Sequence, residues 1–241
     1  AENGRLPELR EGDYPHQYLE AAKSARFADV DISPIRYESH QPPLYYLLIT
    51  PVYLVARAVG WHPAYAIRVA SVLLGGIALL LGYRVARRIF SRDPRIALGA
   101  TALAALLPMH LTMVAGVNND VLAELMIAAV ALQLLAPSGE RWTWRRAVLL
   151  GLTLGLAALT KLQSYVGFAL VGAVLLWDAL GPSDGERALT PKRALGLFLA
   201  MLGIALLVLS PWLLRNASLY GWSDPLGLQR HDQVVMGQLT T

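Results

Sequence analysis

The sequence contains no cysteine, and charged residues account for only 16% of its 241 positions. Without cysteine the chain cannot form a disulfide, bind a metal through thiolates or use a cysteine nucleophile. A soluble globular domain is nearer a quarter charged, so the shortage of charge argues against that class. Hydrophobic residues make up 55% of the chain, which also excludes a disordered protein.

The apolar residues are concentrated in blocks of roughly 15–22 residues, about the length that crosses the hydrocarbon core of a bilayer. We therefore predict an all-α, polytopic helical membrane protein. A shorter apolar run at 44–59 is rich in tyrosine and is predicted to be an interfacial helix, with a short span as the alternative. The six expected spans are 64–83, 96–117, 119–136, 147–161, 164–180 and 194–214.

Three parts are predicted along the chain. Residues 1–63 form an extracytoplasmic loop with the interfacial helix, residues 64–214 form the six-span transmembrane module, and residues 215–241 form an extracytoplasmic C-terminal segment. Residues 1–41 are expected to be polar and irregular. Because the chain begins at Ala1 without a signal peptide, it is expected to be a section of a longer protein or a truncated relative.

Basic residues predict the orientation. In the six-span arrangement, the loops 84–95, 137–146 and 181–193 share one side and carry most of the lysine and arginine between spans. The positive-inside rule places that side in the cytoplasm and both ends of this sequence outside. Membrane topology thus accounts for the net charge of +4, and no nucleic-acid partner is expected. The abundance of alanine, leucine and arginine favours a bacterial source, for which the inner membrane and the cell envelope are the expected location.

This topology places four polar features on one external face, where they are predicted to bind substrate. Each has a structural alternative: Asn119 or Asp120 caps a helix, Lys161 snorkels, and His40 is structural or solvent-exposed. Lys161 and Arg215 are the candidates to bind a lipid phosphate. The candidate residues are Glu38, His40 and Gln41; Asn118, Asn119 and Asp120; Lys161 and Gln163; and Arg215 and Asn216.

Glu124 is a further acidic residue near this face. It lies four residues after Asp120, so the two share one side of a helix. Glu124 is expected about one turn inside the membrane, where a carboxylate suggests function by default. The alternative is that it pairs with a neighbouring polar group.

Six short segments resemble, in order, the multi-spanning lipid-linked sugar transferases of the GT-C type, of the protein mannosyltransferase and aminoarabinose transferase kind. Together the segments extend over essentially the whole chain. They are Ala1–Pro7, Glu38–Tyr46, Arg84–Phe90 (RVARRIF), Asn118–Asp120, Leu159–Lys161, and Pro211–Asn216 with Tyr220-Gly221.

The resemblance implies transfer of a sugar from a polyprenyl-phosphate donor to an acceptor on the outer face, with inversion at the sugar. The family's catalytic carboxylate usually follows its first transmembrane helix, which would precede Ala1, so no catalytic residue is assigned in this sequence. Lys161 or Arg215 would support the departing phosphate, and His40 could hydrogen-bond it. Asp120 could orient the acceptor or, with Glu38, hold a divalent cation such as Mg²⁺ or Mn²⁺.

Two alternatives compete with this interpretation. A non-catalytic membrane subunit could keep the fold and serve a larger complex with partner subunits. A transporter is disfavoured because no inverted repeat is visible and the polar groups gather at one face rather than at the midplane. The expected partners are the lipid bilayer, a polyprenyl phosphate or phospholipid, and, for the subunit, other members of the complex.

Overall fold

The structure is a computed structural model that describes residues 16–25, 40–136, 142–181, 189–229 and 231. Within these ranges, every regular element is a helix, which confirms the all-α prediction. The chain divides into two compact units, one of Ala1–Gln41 with Trp212–Thr241 and the other of Pro42–Pro211. The three predicted parts of the chain were defined by their position relative to the membrane, and their boundaries stay predictions.

The larger unit contains a run of apolar helices, and the last helix begins there. A 3₁₀ helix, Leu162–Tyr165, leads directly into α8. The helices are α2 (Leu44–Ala58), α3 (Pro63–Ile89), α4 (Pro94–Leu106), α5 (Pro108–Ala115), α6 (Asp120–Leu134), α7 (Trp144–Ala158), α8 (Val166–Leu180) and α9 (Pro191–Tyr220).

Among the described residues, three stretches are long and apolar enough to cross a membrane: α3, residues 162–180, and α9. The pair α4–α5 could form a fourth crossing as one bent span. Helices α6 and α7 have 15 residues each, or about 22 Å at 1.5 Å per residue, against a hydrocarbon core of about 30 Å. A helix occupies each predicted position, but the count of six spans stays a prediction. Helix α2 occupies the predicted interfacial segment, and its placement in the membrane also stays a prediction.

The second predicted span, 96–117, is not one continuous helix in the structure. The structure breaks it between α4 and α5, which are bent by 63°. Leu107 is extended at the break and Pro108 begins α5. Proline has no N–H for the helical ladder and disfavours a helical conformation in the residue before it, which accounts for the bend.

Close packing of helix backbones joins α7 to α9. A methyl group added at Gly151 would lie 2.9 Å from the carbonyl oxygen of Met201, and one at Gly155 would lie 2.8 Å from Cβ of Val208. Small residues four apart allow such contacts in membrane helices. Buried leucine, valine and alanine side chains of α6, α7, α8 and α9 complete this core. A second cluster joins α2, α5 and the start of α6 around the fully buried Tyr45.

The smaller unit contains α1 (His16–Ser24), part of a segment that was predicted to be irregular. That prediction is wrong for these residues.

The last predicted span was expected to end at 214, but α9 continues to Tyr220. Gly221 then adopts φ 98°, a left-handed conformation that glycine accepts readily and that ends the helix.

Candidate functional site

A polar site forms where α6 begins and where the chain breaks between α7 and α8. The backbone turns after Ala158, Lys161 is extended, and the 3₁₀ helix follows. This is the break predicted from the central lysine. The backbone N–H of Leu44 donates to the carbonyl oxygen of Leu159 over 3.0 Å, so α2 begins beside the same break.

Asp120 and Lys161 form an ion pair across this site, with side chains 30% and 22% exposed. They are separated by 41 residues in sequence. The predicted proximity of these two residues is therefore present. Lys161 pairs with a carboxylate, whereas the snorkelling alternative needs no protein partner for its ammonium group.

The turn before α6 is stabilised by amide side chains. Asn118 accepts the backbone N–H of Asp120 through Oδ1 at 3.0 Å. Asn119 is buried at the N-cap position but makes no side-chain capping bond; its Nδ2 donates instead to the carbonyl oxygen of Thr160 at 2.9 Å. Asn119 therefore occupies the expected N-cap position, but Asn118 contributes the local side-chain bond while Asn119 ties α6 to the helix break.

Glu124 lies one turn further along α6. Its Oε2 is 3.1 Å from Nε2 of His110 on α5. The expected pairing with a polar neighbour is therefore present. Glu124 is 43% exposed and the His110 side chain 16% exposed. Nδ1 of His110 is buried without a hydrogen-bond partner among the described residues.

Asp120, Glu124 and Lys161 line a pocket of about 320 Å³. Two carboxylates, one ammonium group, one amide and one hydroxyl face it, together with two apolar side chains. Ser164 is 2% exposed, and its Oγ has no hydrogen-bond partner in the described part of the chain. The lining consists of Asp120, Ala123, Glu124, Ile127, Lys161, Gln163 and Ser164.

The divalent-cation prediction joined Asp120 to Glu38, and Glu38 lies outside the described residues. Within the described ranges, no group of three or more His, Asp or Glu side chains could hold a metal ion. A cation at Asp120 would also compete with the ammonium group of Lys161. The predicted cation between Asp120 and Glu38 therefore stays a prediction.

The remaining candidates belong to the smaller unit. The carbonyl oxygen of buried His40 accepts Nε1–H of Trp212 and Nδ2–H of Asn216, each at 3.2 Å. Asn216 is fully buried, and its Oδ1 accepts a bond from Arg215 at 2.8 Å. Gln41, which follows His40, is half-buried. His40 thus has a structural role through its backbone, and convergence of this set with Lys161 and Asp120 stays a prediction.

Sequence reasoning did not identify Ser164 or the partner of Glu124. Ser164 had no distinguishing signal beyond its place in the helix break. His110 is a polar residue within an apolar helix, a signal that could have suggested it as the partner of Glu124. The side on which each helix presents these groups depends on packing.

The helices and the pocket define an integral membrane protein with a small polar site between its apolar helices. A profile of the dolichyl-phosphate-mannose–protein mannosyltransferase family matches residues 40–214, and the chain belongs to that family. It is therefore a membrane glycosyltransferase of the GT-C kind. Neither the curated proteins nor the solved structures gave a significant match.

Proposed function

We propose that the protein takes a sugar from a polyprenyl-phosphate donor and transfers it to an acceptor on the extracytoplasmic face of a bacterial inner membrane. The observation that carries this proposal is the pocket at the Asp120–Lys161 ion pair, which lies inside the region matched by the family. A lipid-linked donor fits a site that is built between apolar helices.

Lys161 is the cation that lines the pocket in the described part of the chain. An ammonium group has three N–H donors, and the bond to Asp120 uses one of them. Asp120 thereby holds the charge in place and leaves the other donors available for a ligand. We assign to Lys161 the phosphate of the donor, since charge-assisted bonds to phosphate are strong.

The transfer itself needs one bond exchange. The acceptor oxygen bonds to the anomeric carbon, the bond from that carbon to the phosphate oxygen breaks, and the phosphate leaves with the electron pair. A carboxylate base takes the proton of the acceptor hydroxyl. Lys161 stabilises the charge that develops on the departing phosphate. Asp120 is engaged by Lys161 and is not assigned as the base. Arg215 is a second candidate for the phosphate.

The test combines binding and turnover with the purified full chain in lipid nanodiscs. Binding of farnesyl phosphate is measured first, and then release of farnesyl phosphate from its mannose, glucose and arabinose esters in the presence of a membrane extract as acceptor. Lys161→Ala should weaken farnesyl phosphate binding or turnover at least about tenfold, equivalent to about 1.4 kcal/mol. The matched control is Lys23→Ala, an exposed lysine of α1.

The outcomes separate the alternatives. Asp120→Asn should also lower binding, because an amide does not fix the ammonium group as a carboxylate does. Binding without turnover of any ester would favour the non-catalytic subunit. Failure of the wild-type chain to bind farnesyl phosphate above empty nanodiscs, or equal binding by Lys161→Ala, would overturn the proposal.

A further inference from the structure

The phosphate role of Lys161 does not use every group that lines the pocket. Glu124 and Ser164 also line it, and Ser164 Oγ is buried without a hydrogen-bond partner among the described residues. A buried hydroxyl without a partner costs free energy, so such a group indicates that a ligand or water completes the site. Ser164 is only 2% exposed, and it is one of the residues that line the pocket, so a partner for its hydroxyl would come from the pocket.

The charges of the lining identify the chemistry of the partner. Two carboxylates and one ammonium group line the pocket, and Lys161 pairs with Asp120, so Glu124 has no opposite charge in the lining. The phosphate therefore belongs beside the ammonium group of Lys161, and the group beside Glu124 should be neutral, because an anion there would be repelled. Neutral hydroxyl groups fit well, because a carboxylate accepts their hydrogens and a serine hydroxyl both donates and accepts.

The size of the pocket agrees with this chemistry. Its volume of about 320 Å³ is at the small end of the ~300–1,000 Å³ typical of small-molecule sites. Ala123 and Ile127 provide an apolar wall on the same face of α6. Apolar groups beside hydrogen-bonding groups suit one sugar ring, which has both C–H and O–H surfaces.

His110 holds Glu124 in this position from α5 through the 3.1 Å contact between Nε2 and Oε2. We propose that Glu124 and Ser164 form a subsite for hydroxyl groups of the transferred sugar, with His110 as a positioning residue for Glu124. This inference rests on the proposed function, because the sugar reaches the subsite attached to the phosphate that Lys161 binds.

The experiment compares a phosphate with and without its sugar. The full chain in nanodiscs is titrated with farnesyl phosphate and with its mannose, glucose and arabinose esters. The wild type should bind at least one ester about tenfold more tightly than farnesyl phosphate. Glu124→Ala should remove about tenfold of that gain, and Ser164→Ala about threefold to tenfold, because bonds to charged groups are the stronger ones.

Matched variants distinguish recognition from damage to the fold. None of the subsite variants should weaken binding of farnesyl phosphate alone, whereas Lys161→Ala weakens both ligands. His110→Ala should reduce the gain, and His110→Gln should restore part of it, since an amide N–H can still donate to Glu124. Controls are Glu20→Gln in exposed α1 and Ser210→Ala, whose hydroxyl donates to the carbonyl oxygen of Leu207.

The inference and the proposed function fail differently. If farnesyl phosphate does not bind the wild type, the proposed function is wrong. If farnesyl phosphate binds but no ester binds more tightly, or if the gain survives in Glu124→Ala and Ser164→Ala, the sugar subsite is refuted while the phosphate site stands.

Discussion

The Asp120–Lys161 ion pair should stabilise the fold as well as the site, and a double-mutant cycle can measure how much. The variants are Asp120→Asn, Lys161→Met and the combination. Both changes keep the approximate side-chain size while removing one charge. Removal of either partner leaves the other charge without its counterion in a partly buried pocket.

The expected magnitude follows from the burial of the pair. An exposed ion pair contributes about 0–1 kcal/mol, whereas removal of one partner of a fully buried pair costs about 3–5 kcal/mol. The two side chains are 30% and 22% exposed, so each single variant should cost about 2 kcal/mol. The double variant should cost less than the sum, with a coupling energy of about 1–2 kcal/mol.

Thermal unfolding in detergent, followed by tryptophan fluorescence, provides the measurement; the chain has six tryptophans. At about 2–4 °C per kcal/mol for a chain of this length, each single variant should lower Tm by about 4–8 °C. Denaturant titration then converts the shifts into free energies of unfolding.

The pair of Lys23 and Glu20 in α1 is the matched control. Their side chains are 53% and 67% exposed, so the same cycle there should give a coupling below about 0.5 kcal/mol. If the Asp120→Asn and Lys161→Met costs are additive within about 0.5 kcal/mol, the ion pair does not couple α6 to the helix break, and the argument from burial is refuted.

Three further predictions concern packing and topology. Gly155→Ala should lower stability by about 1–3 kcal/mol in thermal unfolding because its methyl group would meet α9, whereas Gly203→Ala, which has open space around it, should leave stability unchanged or raise it. Asn216→Ala should cost about 1–3 kcal/mol in the same measurement, since it removes a fully buried hydrogen-bonding side chain; a change below about 0.5 kcal/mol would contradict its role. Single cysteines placed at Ser91 and Val117 should react with an impermeant reagent from opposite sides of the membrane, and reaction from the same side would exclude the six-span topology.

Much of the fold could be predicted from the sequence alone. The membrane class, the helix positions and the break at 161–164 follow from hydrophobic length and from the cost of a lysine within a bilayer, which are local properties of the chain. The polar turn at 118–120 was recognisable for the same reason, because it interrupts an apolar stretch.

Tertiary packing decided which polar groups meet. Asp120 contacts Lys161 across 41 positions, and His110 on α5 contacts Glu124 on α6, because rotation about each helix axis and the bend at Pro108 determine where the side chains point. The same packing left Ser164 Oγ buried beside the pocket without a described partner. Local patterns could place such groups near one end of their helices, but contact depends on the positions of several helices at once, so only the folded chain decided the pairing and the pocket that results from it.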